Sequence, residues 1–264
     1  MMRRHAFRAM GTDVELFGEP AGFELVECEF ERLEGLLSRF RPESELSRLN
    51  RTGLLEAGPD LLRVVGLALA ARDRTHGLFD PSVHDAVVAA GYDRSFELLT
   101  TPRPGPPARC DGAVTIAGGT IRLASGVRLD LGGIGKGYAV DRSVRILGAF
   151  GPTLVNAGGD MACLGGSWPI GVETPGAPLT IALERGALAT SGSDRRRWAG
   201  GHHLIDPRTG SPADSPYLRV TVAAPSAVEA EVLAKAIYLG AHPAGAATVL
   251  IGHDDRVERT GALA

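Results

Sequence analysis

The stretch VRLDLGGIGKGYAVDRSVRIL, residues 127–147, predicts a strand, a glycine-rich turn that carries Lys136, and then a helix. The four glycines of the turn let backbone N–H groups approach a ligand closely, and the first turn of a helix has a positive potential. With one added ammonium group, these features predict a site for an anion such as a phosphate. The alternative is a glycine turn that serves only a tight crossing from strand to helix.

The spacing of this turn excludes two familiar phosphate-binding motifs. A P-loop has Ser or Thr directly after its lysine, whereas Gly137 follows Lys136. A dinucleotide-binding fingerprint has the spacing GxGxxG, whereas Gly133, Gly135 and Gly137 give GxGxG. The spacing alone therefore does not identify the ligand.

The segments around this turn predict an α+β fold, because helices and strands occur without the regular alternation of a doubly wound sheet. Apolar residues recur three and four positions apart in 22–40, which predicts a helix with one buried face. Besides the helix that follows the glycine turn, further helices are predicted from Pro59 to about His76 and after the N-cap Ser226. Strands are predicted at residues 12–18, 113–118, 120–124, 126–131, 153–158, 168–173, 179–184, 186–190, 218–224 and 246–252, followed by a polar tail.

Residues 1–264 are expected to form a single domain. The proline-rich segment 99–112 predicts an exposed loop, near which two subregions of that domain would meet.

The composition excludes several classes of protein. The chain has 264 residues, 44% of them hydrophobic, with a formal net charge of −3 and no long basic stretch, which argues against a nucleic-acid partner. No apolar run has the length of a signal peptide or a membrane span, so we expect a cytoplasmic protein that does not cross a membrane. The three cysteines are far apart and predict neither disulfides nor a zinc cluster. All but two of the 28 basic residues are arginine, and the exceptions are Lys136 and Lys235.

Polar groups concentrate at two other predicted strand ends, where functional sites are common. ATSGSDRRRWAGGHHLIDPRTGSP, residues 189–212, combines hydroxyl groups, three arginines and two histidines, and LVNAGGD, residues 154–160, ends in a glycine turn with an acidic residue. Arg195, Arg196 and Arg197 could face an acidic protein partner or the phosphates of a cofactor. Successive residues of a strand point to opposite sides, so a solvated edge is the alternative for at least one of them.

These stretches together resemble the ApbE-type FAD:protein FMN transferases, and the resemblance runs nearly from end to end. It implies an ApbE-like (T-fold-related) arrangement of mixed sheets packed with helices. It also implies an enzyme that binds FAD, cleaves its pyrophosphate, and transfers FMN to a Thr or Ser hydroxyl of an acceptor flavoprotein with release of AMP. The motifs, in the family's order, are MGTDVEL (10–16), SRFRPESELSRLN (38–50), GLFDPSV (77–83), DLGGIGKGYAVD (130–141), LVNAGGDM (154–161), SGSDRR (191–196), HHLIDPRTG (202–210) and AEVLAKAIYLG (230–240).

The resemblance also implies which residues bind and act on FAD. Asp130, Lys136 and His203 are implied as catalytic, with Lys136 neutralising phosphate charge and either Asp130 or His203 taking the acceptor proton. Met10 matches a flavin-contacting methionine. Phe40 replaces a tyrosine that stacks on adenine, and it keeps the aromatic face. The full set implied to bind FAD is Met10, Phe40, Phe79, Asp80, Pro81, Asp130, Lys136, His203 and Leu204.

The chain departs from the family where the resemblance implies Mg²⁺. The ligand positions are Glu231 and Lys235, with a backbone oxygen near Gly133, and a protonated lysine cannot be a ligand because it has no free lone pair. Either the two side chains form an ordinary i, i+4 pair on a helix surface, or the ammonium group of Lys235 is buried where the cation would lie. The apolar neighbours of Lys235 favour burial. We therefore hypothesise that dependence on Mg²⁺ is weakened or lost.

Two alternatives to the transferase remain open from sequence. A pyrophosphatase would convert FAD to FMN and AMP, with water replacing the acceptor hydroxyl. A non-catalytic protein would bind FAD without turnover.

Overall fold

The computed structural model describes residues 2–99, 104–199 and 201–263, and strands make up its central layer. The strands of this part of the chain are β1 (Arg3–Ala9), β2 (Thr12–Gly18), β3 (Leu54–Glu56), β4 (Val114–Ala117), β5 (Thr120–Leu123), β6 (Thr153–Ala157), β7 (Asp160–Val172), β8 (Leu179–Gly192), β9 (Arg197–Trp198), β10 (Gly201–His202), β11 (Ile205–Asp206), β12 (Ser211–Pro212), β13 (Tyr217–Ala224), β14 (Ala247–Gly252) and β15 (Val257–Thr260).

One large sheet contains eight of these strands. Their order is β1-β2-β6-β7-β8-β13-β14-β15, and each neighbouring pair is antiparallel. A three-stranded sheet, β3-β5-β4, and two short hairpins complete the strand pairing of the described residues.

Helices cover the large sheet. Helices α5 and α6 pack on the sheet and on each other, and α1 packs on α5. The described α-helices are α1 (Phe23–Leu37), α2 (Glu45–Thr52), α3 (Pro59–Arg74), α4 (His84–Ala89), α5 (Gly135–Gly148) and α6 (Ala227–Tyr238), with 3-10 turns at Pro20–Gly22, Pro81–Val83, Phe96–Leu98 and Gly261–Leu263.

The main core lies between the helices and one face of the sheet. Leu16 from β2, Phe30 from α1 and Val140 from α5 are all fully buried there. Burial of side chains of this size stabilises the fold by roughly 1.5–3 kcal/mol each. The opposite face of the sheet carries a second cluster that includes Leu154 and Val249, so both faces of the central strands are apolar.

Much of this architecture agrees with the sequence-based predictions. The apolar stripe of α1 is buried, α3 begins at Pro59, and Ser226 Oγ caps α6 by accepting from the N–H of Glu229 at 3.2 Å. The predicted strands 179–184 and 186–190 are one continuous strand, β8, and the predicted polar tail contains β15. The strand β1 was not predicted.

The prediction of a strand at residues 126–131 is wrong. This segment has no strand partner, because the side-chain amide of Asn50 satisfies its backbone instead: Asn50 Nδ2 donates to the carbonyl of Leu129, and the N–H of Leu129 donates to Asn50 Oδ1, both at 2.8 Å. The N–H of Asp130 then donates to the carbonyl of Pro81 at 2.8 Å. These bonds hold the glycine turn without a sheet.

The cysteines, the helix lengths and the proline-rich segment can also be compared with the predictions. Cys28, Cys110 and Cys163 are free thiols. Within the described ranges, no helix combines the length and the apolar character that crossing a bilayer demands. Part of the proline-rich segment 99–112 falls on residues 100–103, outside the described residues, and the division into two subregions stays a prediction.

Candidate active site

Two adjoining cavities lie beside the first turn of α5. The larger has a volume of about 690 Å³, in the range of roughly 300–1,000 Å³ typical of small-molecule sites, and the smaller has about 260 Å³. Residues that line both cavities include Tyr92, Asp130, Lys136 and Arg196. An elongated ligand that filled both cavities would therefore have its middle at these residues.

The only two lysines of the chain meet in the wall of the larger cavity. Lys136 Nζ donates to Glu231 Oε1 at 2.8 Å and also to Asp160 Oδ2, while Lys235 Nζ donates to the same Glu231 oxygen at 3.2 Å. The Glu231 and Asp160 side chains are 0% and 4% exposed, and each lysine side chain is 16% exposed. We call these four residues the buried ion cluster.

Charge and burial act against each other in the buried ion cluster. Burial favours the neutral form of Glu231, but Lys136 and Lys235 outweigh it and hold the pKa of Glu231 well below its ordinary range. Burial likewise opposes the charge on Lys136, but Asp160 and Glu231 outweigh it and raise the pKa of Lys136. Burial raises the pKa of Asp160, and the negative charge of Glu231 adds to that effect. Lys136 is therefore cationic and Glu231 ionised at neutral pH.

The close approach of α5 and α6 brings these groups together. A Cβ atom at Gly137 would lie 2.8 Å from the backbone of Ala227, so only glycine fits without a shift. The N–H of Gly137 donates to Glu231 Oε2 at 2.9 Å. The carboxylate of Asp141 accepts from the N–H groups of Ala227 and Val228, at 2.8 and 3.1 Å, and so caps the start of α6.

Asp130 lies where the two cavities join, and it is held from several sides. Its Oδ2 forms an ion pair of 2.7 Å with Arg39 Nε, and its Oδ1 accepts from the N–H of Gly132 at 2.6 Å. The guanidinium carbon of Arg39 also lies 4.1 Å from the ring centroid of Phe40 and 4.8 Å from that of Tyr92. Arg39 was missed from sequence, although it stands next to Phe40 in the motif SRFRPESELSRLN.

The two adjacent histidines have different environments. His202 Nδ1 accepts from the N–H of Leu204 at 3.2 Å and its Nε2 donates to the carbonyl of Ala213 at 3.1 Å, so His202 is a neutral structural residue. His203 lines the larger cavity, and its Nδ1 is buried with no hydrogen-bond partner among the described residues. Burial, with the positive charges of Arg196 and Lys235, lowers the pKa of His203 well below its ordinary value. His203 is therefore a neutral imidazole at pH 7.

The other residues implied to bind FAD are divided between the cavities. Phe79, Asp80 and Leu204 line the larger one, whereas Met10 and Phe40 both line the smaller one. The structure thus places Met10 and Phe40 together, although the resemblance assigns them to opposite ends of FAD. Phe40 is 37% exposed, so part of its ring is free to stack.

Asp80 and Pro81 serve the loop around the site. Asp80 Oδ1 accepts from the N–H and hydroxyl of Ser82, both at 2.7 Å, and its Oδ2 accepts from the N–H of Asp111 at 3.1 Å. Pro81 is not among the residues lining either cavity, and its carbonyl accepts the N–H of Asp130. These two residues hold the backbone around the site, and Asp80 also lines the larger cavity.

The three positions implied to hold Mg²⁺ lie together but do not suit the ion. Both oxygens of Glu231 accept from N–H groups, and the position of a second side-chain ligand is the ammonium-bearing Lys235. A Cβ at Gly133 would lie 3.2 Å from Lys235 Cε, so the lysine stem covers this stretch of the turn. In the part of the chain that the structure describes, no group of three His, Cys, Asp or Glu residues could hold a metal ion.

Arg196 is a further cation at the junction that sequence reasoning did not single out. It has φ of +45°, in the left-handed region that most residues avoid, and its Nη2 donates to the carbonyl of Gly11 at 3.2 Å. The signal was the run of three arginines in 195–197, but only Arg197 lies in a strand, so an argument from strand alternation could not choose Arg196.

The antiparallel sheet, the helix pair that covers it and the polar cavities at the start of α5 define an α+β protein with a cavity of the size that takes a small molecule. A sequence profile of the ApbE family matches residues 10–257. The chain therefore belongs to the ApbE family.

Named relatives agree with this assignment. The chain is 29% identical over 259 residues to the FAD:protein FMN transferase of Treponema pallidum, a match that covers 83% of this chain and 71% of that protein. It is 34% identical over 180 residues to the FAD:protein FMN transferase of Rhodobacter capsulatus, covering 60% of this chain and 34% of that protein. The latter match thus spans about a third of the relative's length.

Solved structures share the fold. The ApbE protein of Thermotoga maritima superposes with a TM-score of 0.86 at 26% identity, over 98% of this chain and 97% of that one. A histidine-to-glycine mutant of flavin transferase ApbE from Vibrio cholerae superposes with a TM-score of 0.85 at 24% identity, over 100% of this chain and 98% of that one. The second likeness concerns the fold alone.

Proposed function

We propose that this protein is an FAD:protein FMN transferase that moves FMN from FAD to a Thr or Ser hydroxyl of an acceptor flavoprotein and releases AMP. The observation that supports this best is the junction of the two cavities at Asp130, Lys136 and Arg196. FAD has a ring system at each end and a doubly charged pyrophosphate in the middle. In this arrangement the pyrophosphate lies at the two cations, with adenine on the Phe40 side and the flavin in the larger cavity.

The reaction breaks one phosphoanhydride bond and forms one phosphoester bond. The acceptor oxygen attacks the phosphorus of the FMN half, and AMP leaves with the bridging oxygen. Lys136, at the N-terminal end of α5, stabilises the charge that develops on the phosphoryl oxygens.

His203 is the better of the two candidates for taking the acceptor proton. Its Nδ1 is without a hydrogen-bond partner among the described residues, and its imidazole is neutral at pH 7. Both oxygens of Asp130 are engaged, one by Arg39 and one by the N–H of Gly132. We assign Asp130 the role of fixing the glycine turn and Arg39.

Several finer statements rest on the family resemblance. The Thr or Ser target and the cytoplasmic location stay predictions. Mg²⁺ would supply charge neutralisation at the pyrophosphate in a relative that binds it, but the donor set around Glu231 does not suit the ion here.

Incubation with FAD and small flavoprotein domains that expose a Thr or Ser tests this function. Mass spectrometry of each domain should show an added FMN group, matched by an equal amount of AMP. Free FMN with AMP and no labelled domain would indicate a pyrophosphatase instead, and intact bound FAD would indicate a protein without turnover. In the labelling assay, His203→Gln should lower the rate by about 100-fold or more, while Arg63→Thr, an exposed change on α3, should leave it unchanged.

A further inference from the structure

Lys235 lies one turn after Glu231 on α6. An exposed Glu and Lys at this spacing stabilise a helix by only about 0.2–0.5 kcal/mol. Here Glu231 is fully buried and already has Lys136 as a cationic partner. Lys235 therefore adds a second ammonium group to an oxygen that already accepts from Lys136.

We propose that the Lys235 ammonium group acts as a built-in cation for the pyrophosphate, so that FAD binding and cleavage proceed without a divalent metal ion. The proposal rests on the function proposed above and concerns how that site obtains its positive charge. It follows from the disagreement between the residues present and the Mg²⁺ that the family resemblance implies.

The donors around the cluster support this role. An ammonium group has three N–H donors. Among the described residues, Lys235 donates one N–H to Glu231, which leaves two, whereas Lys136 donates one each to Asp160 and Glu231, which leaves one. Both lysines line the larger cavity, so these remaining donors are at hand for phosphate oxygens on its wall.

The charges of the buried ion cluster also favour the ammonium group of Lys235 over a divalent metal ion at this position. Two ammonium groups face two carboxylates, and Arg196 at the junction adds a further positive charge. A divalent ion added beside Lys235 would meet the repulsion of two lysines, and both oxygens of Glu231 already accept from N–H groups. An incoming pyrophosphate would meet the remaining N–H donors of Lys136 and Lys235, whose positive charge offsets the buried carboxylates of Asp160 and Glu231.

The packing fixes Lys235 in this position. Its Cε would lie 3.2 Å from a Cβ at Gly133, and the same Cβ would be 3.2 Å from Phe79 Cε2. The lysine stem therefore lies along the glycine turn, in the space that a larger residue at 133 would occupy. The ammonium group is held at the wall and need not be ordered when the ligand binds.

The test begins with the wild-type protein. FAD affinity, measured by calorimetry, and FMN release or transfer, measured by mass spectrometry, are compared in EDTA and in millimolar MgCl₂ or MnCl₂. We expect both to change by less than about twofold, because charge-assisted hydrogen bonds from lysine supply what the metal would. FAD binding that appears only with metal overturns this inference and keeps the proposed function. No FAD binding in any condition overturns both.

Two variants and a matched control extend the test. Lys235→Thr should weaken FAD binding in EDTA by roughly tenfold or more, the effect of one charge-assisted hydrogen bond. Glu231→Asp with Lys235→Thr should bind Mg²⁺ in a calorimetric titration without FAD and regain FAD affinity when the metal is added. Arg63→Thr removes one positive charge from exposed surface and should change neither quantity.

A purely structural role for Lys235 makes the opposite prediction. Lys235→Thr would then lower the melting temperature and leave the FAD affinity of the folded fraction unchanged, which overturns the inference. Failure of the double variant to gain Mg²⁺ affinity would also count against it, since these positions would not then be where a cation belongs.

Discussion

Helix α5 carries two ion-pair networks that differ in burial. The buried ion cluster lies at its first turn, and a surface network lies one to two turns further on. In the surface network Arg142 Nε is 3.0 Å from Glu29 Oε1; the arginine side chains are 43% exposed, whereas those of Glu29 and Asp60 are 10% and 16% exposed, so water reaches this network through its arginines. The surface network consists of Glu29, Arg32, Asp60 and Arg142.

The difference in burial indicates that the surface network contributes to stability and that the buried ion cluster contributes to ligand binding. Exposed ion pairs contribute about 0–1 kcal/mol, because water and salt screen them. Buried ion pairs cost several kcal/mol of desolvation, which their mutual attraction often fails to recover. The surface network can be accounted for by modest stabilisation, whereas the buried ion cluster is accounted for by the anion that its remaining donors would hold.

The largest effect is expected for Lys136→Met in the buried ion cluster. This change leaves Asp160 and Glu231 to share Lys235, and losing one partner of a buried pair costs roughly 3–5 kcal/mol. Urea denaturation should show this loss, and FAD binding should become undetectable. If the free energy of unfolding fell by less than about 1 kcal/mol, the two networks would not differ as argued.

Asn50→Ala extends the comparison to a loop that is held by hydrogen bonds between neutral groups. It would leave the N–H and the carbonyl of fully buried Leu129 without partners, at a cost of about 2–4 kcal/mol for the two groups. Because the change removes no charge, the decrease in unfolding free energy should be the same at about 0.05 M salt and at about 1 M salt, where exposed charges are screened. A strong salt dependence would contradict this account of the loop.

A smaller effect is expected from the pH dependence of stability at His203. The folded state holds the pKa of His203 below its unfolded value, so the unfolded chain binds the proton first as pH falls. Stability from this residue is therefore complete above about pH 6.5 and falls by up to about 1.4 kcal/mol per pH unit below it.

Urea denaturation of the wild type and His203→Gln between neutral and mildly acidic pH measures this effect. The plot of unfolding free energy against pH should be less steep for the variant, by the equivalent of one bound proton. His202, whose pKa burial also lowers, accounts for part of the slope that remains. Identical slopes would place His203 in a solvated environment and remove the basis for its proposed role as proton acceptor.

The smallest effect is expected for Arg142→Met in the surface network. Its ion pair with Glu29 is partly exposed, so the loss should be about 1 kcal/mol or less and should vanish at high salt. FAD affinity should not change. This variant is the matched control for Lys136→Met, because both remove one cation from the same helix.

Local features of the fold could be predicted from sequence, and long-range ones could not. The stripe of α1 and the cap of α6 depend on residues within a few positions of each other. The segment 126–131 looked like a strand because its alternation is right, but its partner is Asn50, 79 positions from Leu129. A side chain that substitutes for a strand has no periodicity of its own.

The candidate site follows the same division. The i, i+4 spacing of Glu231 and Lys235 was visible in the sequence, and so was Lys136 at the start of a helix. Their meeting depends on Gly137, where the absence of a side chain lets α5 and α6 approach, although Lys136 and Glu231 are 95 positions apart in the chain. Arg39 and Arg196 lay within quoted motifs, but only the folded chain shows that they reach the junction.

The arginine-rich composition has a practical consequence for chemical probing. Apart from the chain terminus, the protein has primary amines at only two positions, and both lie in the wall of one cavity with side chains 16% exposed. The mass adducts of an acylating reagent could thus be assigned to the cavity without mapping dozens of surface groups, and the raised pKa of Lys136 should make its adduct slow to form.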